Sequence, residues 1–226
     1  VLISGDKISA IGHFGNRSAS TTIEGLGAYL LPGFIDVDGE ADHFLTIFSN
    51  PKQRAYLDQG VTTIIGGQDG ASLAPLLYGS LKSIQKWTDI NQINVNWHSF
   101  AEFVGEIRKL QLAVNFGSLS GHSTIRRDIV GEKLTDLTDS ELQVFKGIVE
   151  QALKEGALGL SVNLNTAHTR RVPFQEIKEL ALVVAKYNGV LTLDLRNNKE
   201  GIATAMTEAV ILYRQSGVRL VVNHFV

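Results

Sequence analysis

The sequence predicts an α/β protein built around a parallel sheet, and three observations carry that expectation. Residues 1–31 hold two short runs, "VLISGDKISAIG" and "STTIEGLGAYLL", in which apolar and polar side chains alternate, as in antiparallel strands with one solvated face. After Pro32 the period changes, and apolar strands begin to alternate with amphipathic helices. Three of those helices carry their own stop signal, a glycine three or four positions beyond the last apolar residue of the periodic pattern.

The first run turns at Gly5-Asp6, and a second turn is expected at Gly15-Asn16, so residues 1–30 read as strands of a small β-sandwich domain. Beyond them, strands are predicted at 34–37, 62–65, 113–119, 158–162, 190–195 and 220–224. Thr138 and Glu141 form a capping-box pattern, and Leu142, Phe145, Ile148, Val149, Ala152 and Leu153 follow at helical spacing until Gly156. Ile177, Leu180, Ala181, Val184 and Ala185 repeat the pattern before Gly189, as do Ala205, Ala209, Leu212 and Tyr213 before Gly217. The stretch 71–97 is irregular, with one helix expected near 81–87.

Repeated strand-helix units imply right-handed crossovers, in either a doubly wound sheet or a barrel. Six parallel strands fall short of a closed (β/α)8 barrel, so the barrel reading makes residues 31–226 an incomplete TIM-type barrel, cut before its last two strands. An unclosed barrel leaves apolar faces wet, which predicts poor folding alone and self-association.

Composition narrows the partners. A formal net charge of -2 with scattered Lys and Arg offers no face for a phosphate backbone, so no nucleic-acid role is expected. No apolar run approaches a membrane span, and no signal peptide is visible, so no membrane role is expected either. The chain has no cysteine, which excludes thiolate chemistry and agrees with a cytoplasmic protein. Any metal must sit on His, Asp or Glu.

Reactive groups in such folds gather at the carboxyl ends of parallel strands. The segment "LLPGFIDVDGEADHF", residues 30–44, runs from an apolar strand straight into Asp36, Asp38, Glu40 and Asp42. Later strand ends supply Gln68 and Asp69, His122 and Ser123, Asn163 and Asn165, Asp194 and Arg196, and His224. His122 and Ser123 are neighbours on what reads as a strand, where adjacent side chains point to opposite faces, so they do not form a Ser-His pair.

In order and approximate spacing, "LLPGFIDV", "GVTTIIGGQDG", "SGHSTIRR", "EGALGLSV", "LTLDLRNN" and "LVVNHF" resemble the amidohydrolase superfamily, and most closely its N-acyl-D-amino-acid deacylase (D-aminoacylase) branch. The resemblance implies a (β/α)8 barrel with a small β-sandwich. It also implies hydrolysis of a linear amide C–N bond in a small N-acylated amine or amino acid, through a hydroxide on one or two zinc ions. The branch's catalytic aspartate lies on the eighth strand, beyond Val226, so no catalytic residue is assigned. By the same resemblance His122, Ser123 and Arg126 are substrate-binding candidates, and Arg196 at the end of the fifth strand joins them.

Against that pattern most ligands differ. Where the branch has His-x-His, this chain has Asp38 and Glu40; where it has a ligating Cys, Asp69; where it has the fifth-strand His, Asp194. Only the sixth-strand His is kept, as His224, and the Tyr and Pro-Gly after the fourth strand are lost at Thr166, His168 and Thr169. The candidate metal ligands are therefore Asp38, Glu40, Asp69, Asp194 and His224. All four replacements are carboxylates, although Asp and Glu together supply only 23 of 226 residues.

Like charges roughly 5 Å apart at an effective dielectric near 20 repel by about 3 kcal/mol, so four acids at one mouth need a counter-charge. Mg2+, Mn2+ or Ca2+ would supply it as readily as the branch's zinc, since an oxygen-rich cage with one imidazole suits hard cations. Arg196, Arg126 and Arg127 could instead pair with the acids and leave no metal at all, or raised carboxylate pKa values could relieve the repulsion. Each acid also has a plainer role: Asp36 as a structural group, Asp38 and Glu40 as solvated loop residues, and Asp69 as a turn former. His224 could be a core histidine, and Arg126 a salt-bridge partner. His13, His43, His98 and His168 carry no pattern. Two functions stay open, an amidohydrolase with a carboxylate-rich metal site and a pseudoenzyme that binds a ligand or partner through the old pocket.

Overall fold

The structure, a computed structural model, describes residues 1–15, 17–79 and 81–225. It divides into two compact units, residues 1–32 and 33–226.

The first unit is a hairpin. Strands β1 (Leu2–Ser4) and β2 (Lys7–Ala10) pair antiparallel across the turn at Gly5 and Asp6. The turn expected at Gly15-Asn16 falls partly outside the described residues. The expected strands of "STTIEGLGAYLL" do not form: Ile23, Leu26 and Tyr29 are at least 89% exposed, and Leu26 adopts a left-handed φ of 47°. Alternation makes a strand only when a neighbour accepts its backbone hydrogen bonds, and this run has no partner strand among the described residues.

The second unit is an α/β assembly of parallel strands. In chain order it runs β3 (Phe34–Asp36), α1 (Thr46–Ser49), α2 (Arg54–Leu57), β4 (Val61–Gly66), α3 (Phe100–Lys109), β5 (Asn115–Ser118), β6 (Ser120–Gly121), α4 (His122–Val130), α5 (Asp139–Lys154), β7 (Gly159–Asn163), α6 (Phe174–Lys186), β8 (Val190–Asp194), α7 (Ile202–Ser216) and β9 (Arg219–Asn223). The sheet order is β3-β4-β5 and β6-β7-β8-β9, every neighbour parallel. Leu119 separates β5 from β6 yet donates to the Gly66 carbonyl at 3.0 Å, and Leu158 donates to Ser118 at 3.0 Å, so the two sheets read as six successive positions.

That row of strands is strongly curved. Six flat strands spaced about 4.8 Å apart would hold the first and last roughly 24 Å from each other. Asn223, at the end of β9, instead donates from Nδ2 to Asp38 Oδ1 at 3.2 Å, just beyond β3. The carboxyl ends of the outermost strands therefore meet.

Two apolar clusters support the curve. Strands β7 and β8 press Leu160, Val162, Leu191 and Leu193 against Phe145 and Val149 of α5, Ile177, Leu180 and Val184 of α6, and Leu212 of α7. The other cluster joins Ile64 of β4 to Leu73, Leu76, Ile84, Trp97, Phe100 and Phe103. The predicted capping box at Thr138 forms and starts α5. An unpredicted helix, α3, starts on the same device, with the Ser99 side chain accepting from Glu102 N–H and Glu102 answering. The helix expected at 81–87 is replaced by short 3-10 turns at Lys82–Ile84 and Ile90–Gln92. Leu81 and Ile84 are buried at an i, i+3 spacing that a single 3-10 turn already places on one face, so their burial does not require a longer helix. No helix among the described residues is long and apolar enough to cross a membrane.

Candidate metal centre

Parallel register places Asn163, Asp194 and Asn223 side by side at the carboxyl ends of β7, β8 and β9. Asp38 and Glu40 follow β3, and Gln68 and Asp69 follow β4. The β4 turn depends on Gly67: at φ 74° it donates to Asp42 Oδ2 at 2.7 Å, and a Cβ there would run into the Leu119 carbonyl. Asp69 follows in the left-handed region at φ 56°, so its turn role is real, and the same turn aims its carboxylate inward.

His224 is the hub. Its Nδ1 lies 2.5 Å from Asp194 Oδ1 and 3.8 Å from Asp69 Oδ1, and its Nε2 lies 3.3 Å from Asp38 Oδ2. A left-handed φ of 48° at His224 turns the side chain into this position at the strand's end. Neutral amides brace the acids. Asn163 Nδ2 donates to Asp69 at 3.1 Å, and Asn223 Nδ2 divides between Asp38 and Gln68 Oε1. Gln68 in turn donates to the Val37 carbonyl at 2.6 Å and accepts from Thr192 Oγ1 at 3.1 Å.

Among the described residues two groups have donor atoms within 4.8 Å of one another, Asp69 with Asp194 and His224, and Glu40 with His43 and Asp69. All five sequence candidates thus converge on one mouth, with Asp69 common to both groups. Carboxylate oxygens with an imidazole nitrogen are a fitting donor set for a divalent cation.

Charge accumulates there. Burial pushes the Asp194 carboxyl up to about 6, with Asp69 and Asp38 adding to the rise and His224 opposing it. Burial also raises Asp38, again against His224 and with help from Asp69. The hydrogen bond to Asp194 raises His224, and the carboxylates of Asp194, Asp38 and Asp69 reinforce it against burial.

The arginines do not answer this charge. Arg126 binds Glu176, Arg127 binds Glu132 at 3.0 Å, and Arg196 grips Glu208 with two donors at 2.8 and 3.1 Å. Lys86 is the cationic side chain that joins His224 in lining the mouth, a cavity of about 290 Å3, with its ammonium 3.7 Å above the Trp87 ring.

His122, Ser123 and Arg126, three of the four substrate-binding candidates, are held in buried contacts. His122 opens α4 rather than ending a strand, is fully buried, and meets Glu176 Oε1 at 2.8 Å. Arg126, one helical turn on, donates to the same oxygen at 3.2 Å and to the Thr135 carbonyl at 2.5 Å. Ser123 is buried beneath the mouth, its N–H on the Gly70 carbonyl at 2.7 Å. None of the three lines the mouth. Arg196 does line a cavity of about 830 Å3 that shares Asn165 and Asn198 with the mouth, but its donors are taken by Glu208, Val172 and Arg170. Sequence reading also missed His43, Lys86 and Glu176. His43 and Lys86 lie outside the strand ends, where no periodic signal singles them out.

The chain is similar to known proteins in both sequence and fold. No protein-family profile matches the chain. A D-aminoacylase of Alcaligenes xylosoxydans xylosoxydans is 28% identical over 222 residues, covering 98% of this chain, and an N-acyl-D-aspartate deacylase of the same organism is 28% identical over 227 residues, covering 99%. The chain spans less than half the length of these relatives, 45% of each. A crystal structure of D-aminoacylase superposes with a TM-score of 0.75 at 26% identity, over 84% of this chain and 40% of that one. An N-acyl-D-glutamate deacylase from Bordetella bronchiseptica, complexed with zinc and a phosphonate inhibitor, gives 0.75 at 25%, over 84% and 39%. An L-hydantoinase from Arthrobacter aurescens shares the fold alone, at 0.53 and 16% identity over 92% of this chain and 44% of that one. These relatives bear out the resemblance read from the sequence.

Proposed function

We propose that this homologue of the D-aminoacylases is a metal-dependent amidohydrolase that cleaves a linear amide C–N bond of a small N-acylated amine or amino acid at a carboxylate-rich cation site. In this reading residues 31–226 are six strands of an incomplete (β/α)8 barrel, and residues 1–30 belong to a small β-sandwich. One observation carries it: Asp38, Asp69, Asp194 and His224 converge on one mouth while every arginine proposed to neutralise them is bound to another acid.

Asp69, Asp194 and His224 would hold the cation, with Asp38 beside them. When bound, such an ion supplies Lewis acidity toward a carbonyl oxygen and a lowered pKa for water. The residues of the chain do the rest. Asn163 and Asn223 fix the orientation of Asp69 and Asp38 at no cost in charge. Without an ion the Asp194–His224 pair shares a proton between Oδ1 and Nδ1, which a cation held on those groups would displace. The adjoining cavity carries Arg170 and Lys199 in its wall, beside Glu200 and the paired Arg196 and Glu208, and those two cations would meet a substrate carboxylate.

A second reading has its own observation. The 2.5 Å bond between His224 and Asp194 satisfies both groups without an ion, as expected of a pseudoenzyme that keeps the pocket for binding. Metal analysis separates them. The first reading expects one or more divalent ions per chain, lost on replacing Asp194 or His224, with release of free amine from N-acylated amino acids. Metal-free protein with an intact fold and no amine release would establish the second.

A further inference from the structure

We propose that His43, which matches no ligand pattern in the sequence, is a cation ligand that acts with Glu40 and Asp69. The His43 ring is fully buried, and its Nε2 lies 3.1 Å from the Ala71 carbonyl oxygen. A carbonyl only accepts, so Nε2 carries the hydrogen and the neutral ring holds its lone pair on Nδ1. Nδ1 has no hydrogen-bond partner. The neighbouring Asp42, also fully buried, likewise leaves Oδ1 without a partner.

Buried polar atoms without partners are rare and costly, and both of these are electron-pair donors. One ring nitrogen of His43 lies within 4.8 Å of carboxylate oxygens of Glu40 and Asp69. Metal-ligating histidines divide their ring nitrogens this way, one anchored by a carbonyl and the other left for the ion, and His43 has one anchored and one unpartnered nitrogen. Stacking on Trp87, with ring centroids 4.2 Å apart, holds the ring against rotation. Two carboxylates and one imidazole suit a first-row divalent cation such as Mn2+. The proposal rests on the cation reading of the mouth and assigns it a second position through the shared Asp69. A water donating to the orphaned acceptors is the competing occupant.

The test loads the full chain with Mn2+ and reads nitrogen coupling to the ion by electron spin-echo modulation. His224→Asn removes the other imidazole at the mouth. In that protein the proposal expects a 14N coupling to persist, and to vanish on adding His43→Gln, whose amide can still donate to Ala71. His43→Gln alone should weaken Mn2+ binding at this position at least tenfold, and Glu40→Gln comparably. Bound Mn2+ without nitrogen coupling in the His224→Asn protein would overturn the role of His43 while leaving the cation reading standing. No Mn2+ bound by the wild-type chain would overturn both. If His43→Gln does not fold, Trp87 reports instead. Mn2+ on His43 should quench its emission, a response absent from Trp87→Phe, and emission unchanged by saturating Mn2+ refutes the assignment.

Discussion

Replacing Asp194 with Asn should make the protein less dependent on low pH for its stability, by an amount the site geometry sets. In the fold the Asp194 carboxyl is pushed up to about 6 by burial and by the nearby Asp69 and Asp38, against an ordinary value of 3.8. A displacement of about 2 units corresponds to about 3 kcal/mol. Between those two values the folded chain binds a proton that the unfolded chain has released, so Asp194 costs stability as pH rises through 6. The raised His224 has the same sign, because its extra proton is also lost on going up in pH. Asp194→Asn approximates the protonated carboxyl and carries no such penalty. Urea unfolding in EDTA should therefore show the wild type losing about 3 kcal/mol relative to the variant between pH 4 and pH 7.5. Taking differences matters, since other groups titrate in the same interval. Adding Mn2+ at pH 7.5 should recover the loss in the wild type and do little for the variant. A wild-type-minus-variant difference that stays flat with pH would show that Asp194 is not held among like charges, and the counter-charge argument would fail with it.

His168 should show the opposite slope. Burial and the flanking Arg127 and Arg126 push it down to about 4, so wild-type stability relative to His168→Leu should rise by about 3 kcal/mol from pH 4 to pH 6.5, measured by the same urea series. Glu176→Ala should cost about 3–5 kcal/mol, because it strands the buried guanidinium of Arg126, whereas replacing Arg126 and Glu176 together with Met should recover much of the loss in thermal melts. Phe34, Ile35 and Val37 are each about 60% exposed, and they predict concentration-dependent association in sedimentation velocity that Ser substitutions at Phe34 and Val37 weaken.

How far the sequence reaches into this structure depends on which interaction sets each feature. Thr138 and Glu141 announce α5 because a capping box is satisfied within four residues, and Ser99 with Glu102 announces α3 equally well once the irregular stretch before it is discounted. Stretch 71–97 resists reading because its backbone follows the core. Trp97 anchors it by donating to the Leu73 carbonyl at 2.6 Å across 24 residues, and no local period records that bond. The acids at the mouth were legible because parallel strands in register put their carboxyl ends in one row, as Asn163, Asp194 and Asn223 demonstrate.

The partners of the basic residues were not legible, and for a physical reason. His122 begins a helix one residue after β6 ends, so the side-chain period there is 3.6 rather than 2, and His122 and Arg126 fall on one inward face instead of alternating. Their acid, Glu176, comes from α6, fifty residues beyond Arg126, and only helix packing could name it. That packing decides the chemistry of the mouth. By matching Arg126 to Glu176 and Arg196 to Glu208 within the helical layer, the fold withholds guanidinium from the strand ends, where Asp38, Asp69 and Asp194 lie within 4 Å of one imidazole. A divalent cation there would compete with the protons held by Asp194 and His224, and a metal titration followed at pH 5 and pH 7.5 would expose that competition, with tighter binding expected at the higher pH.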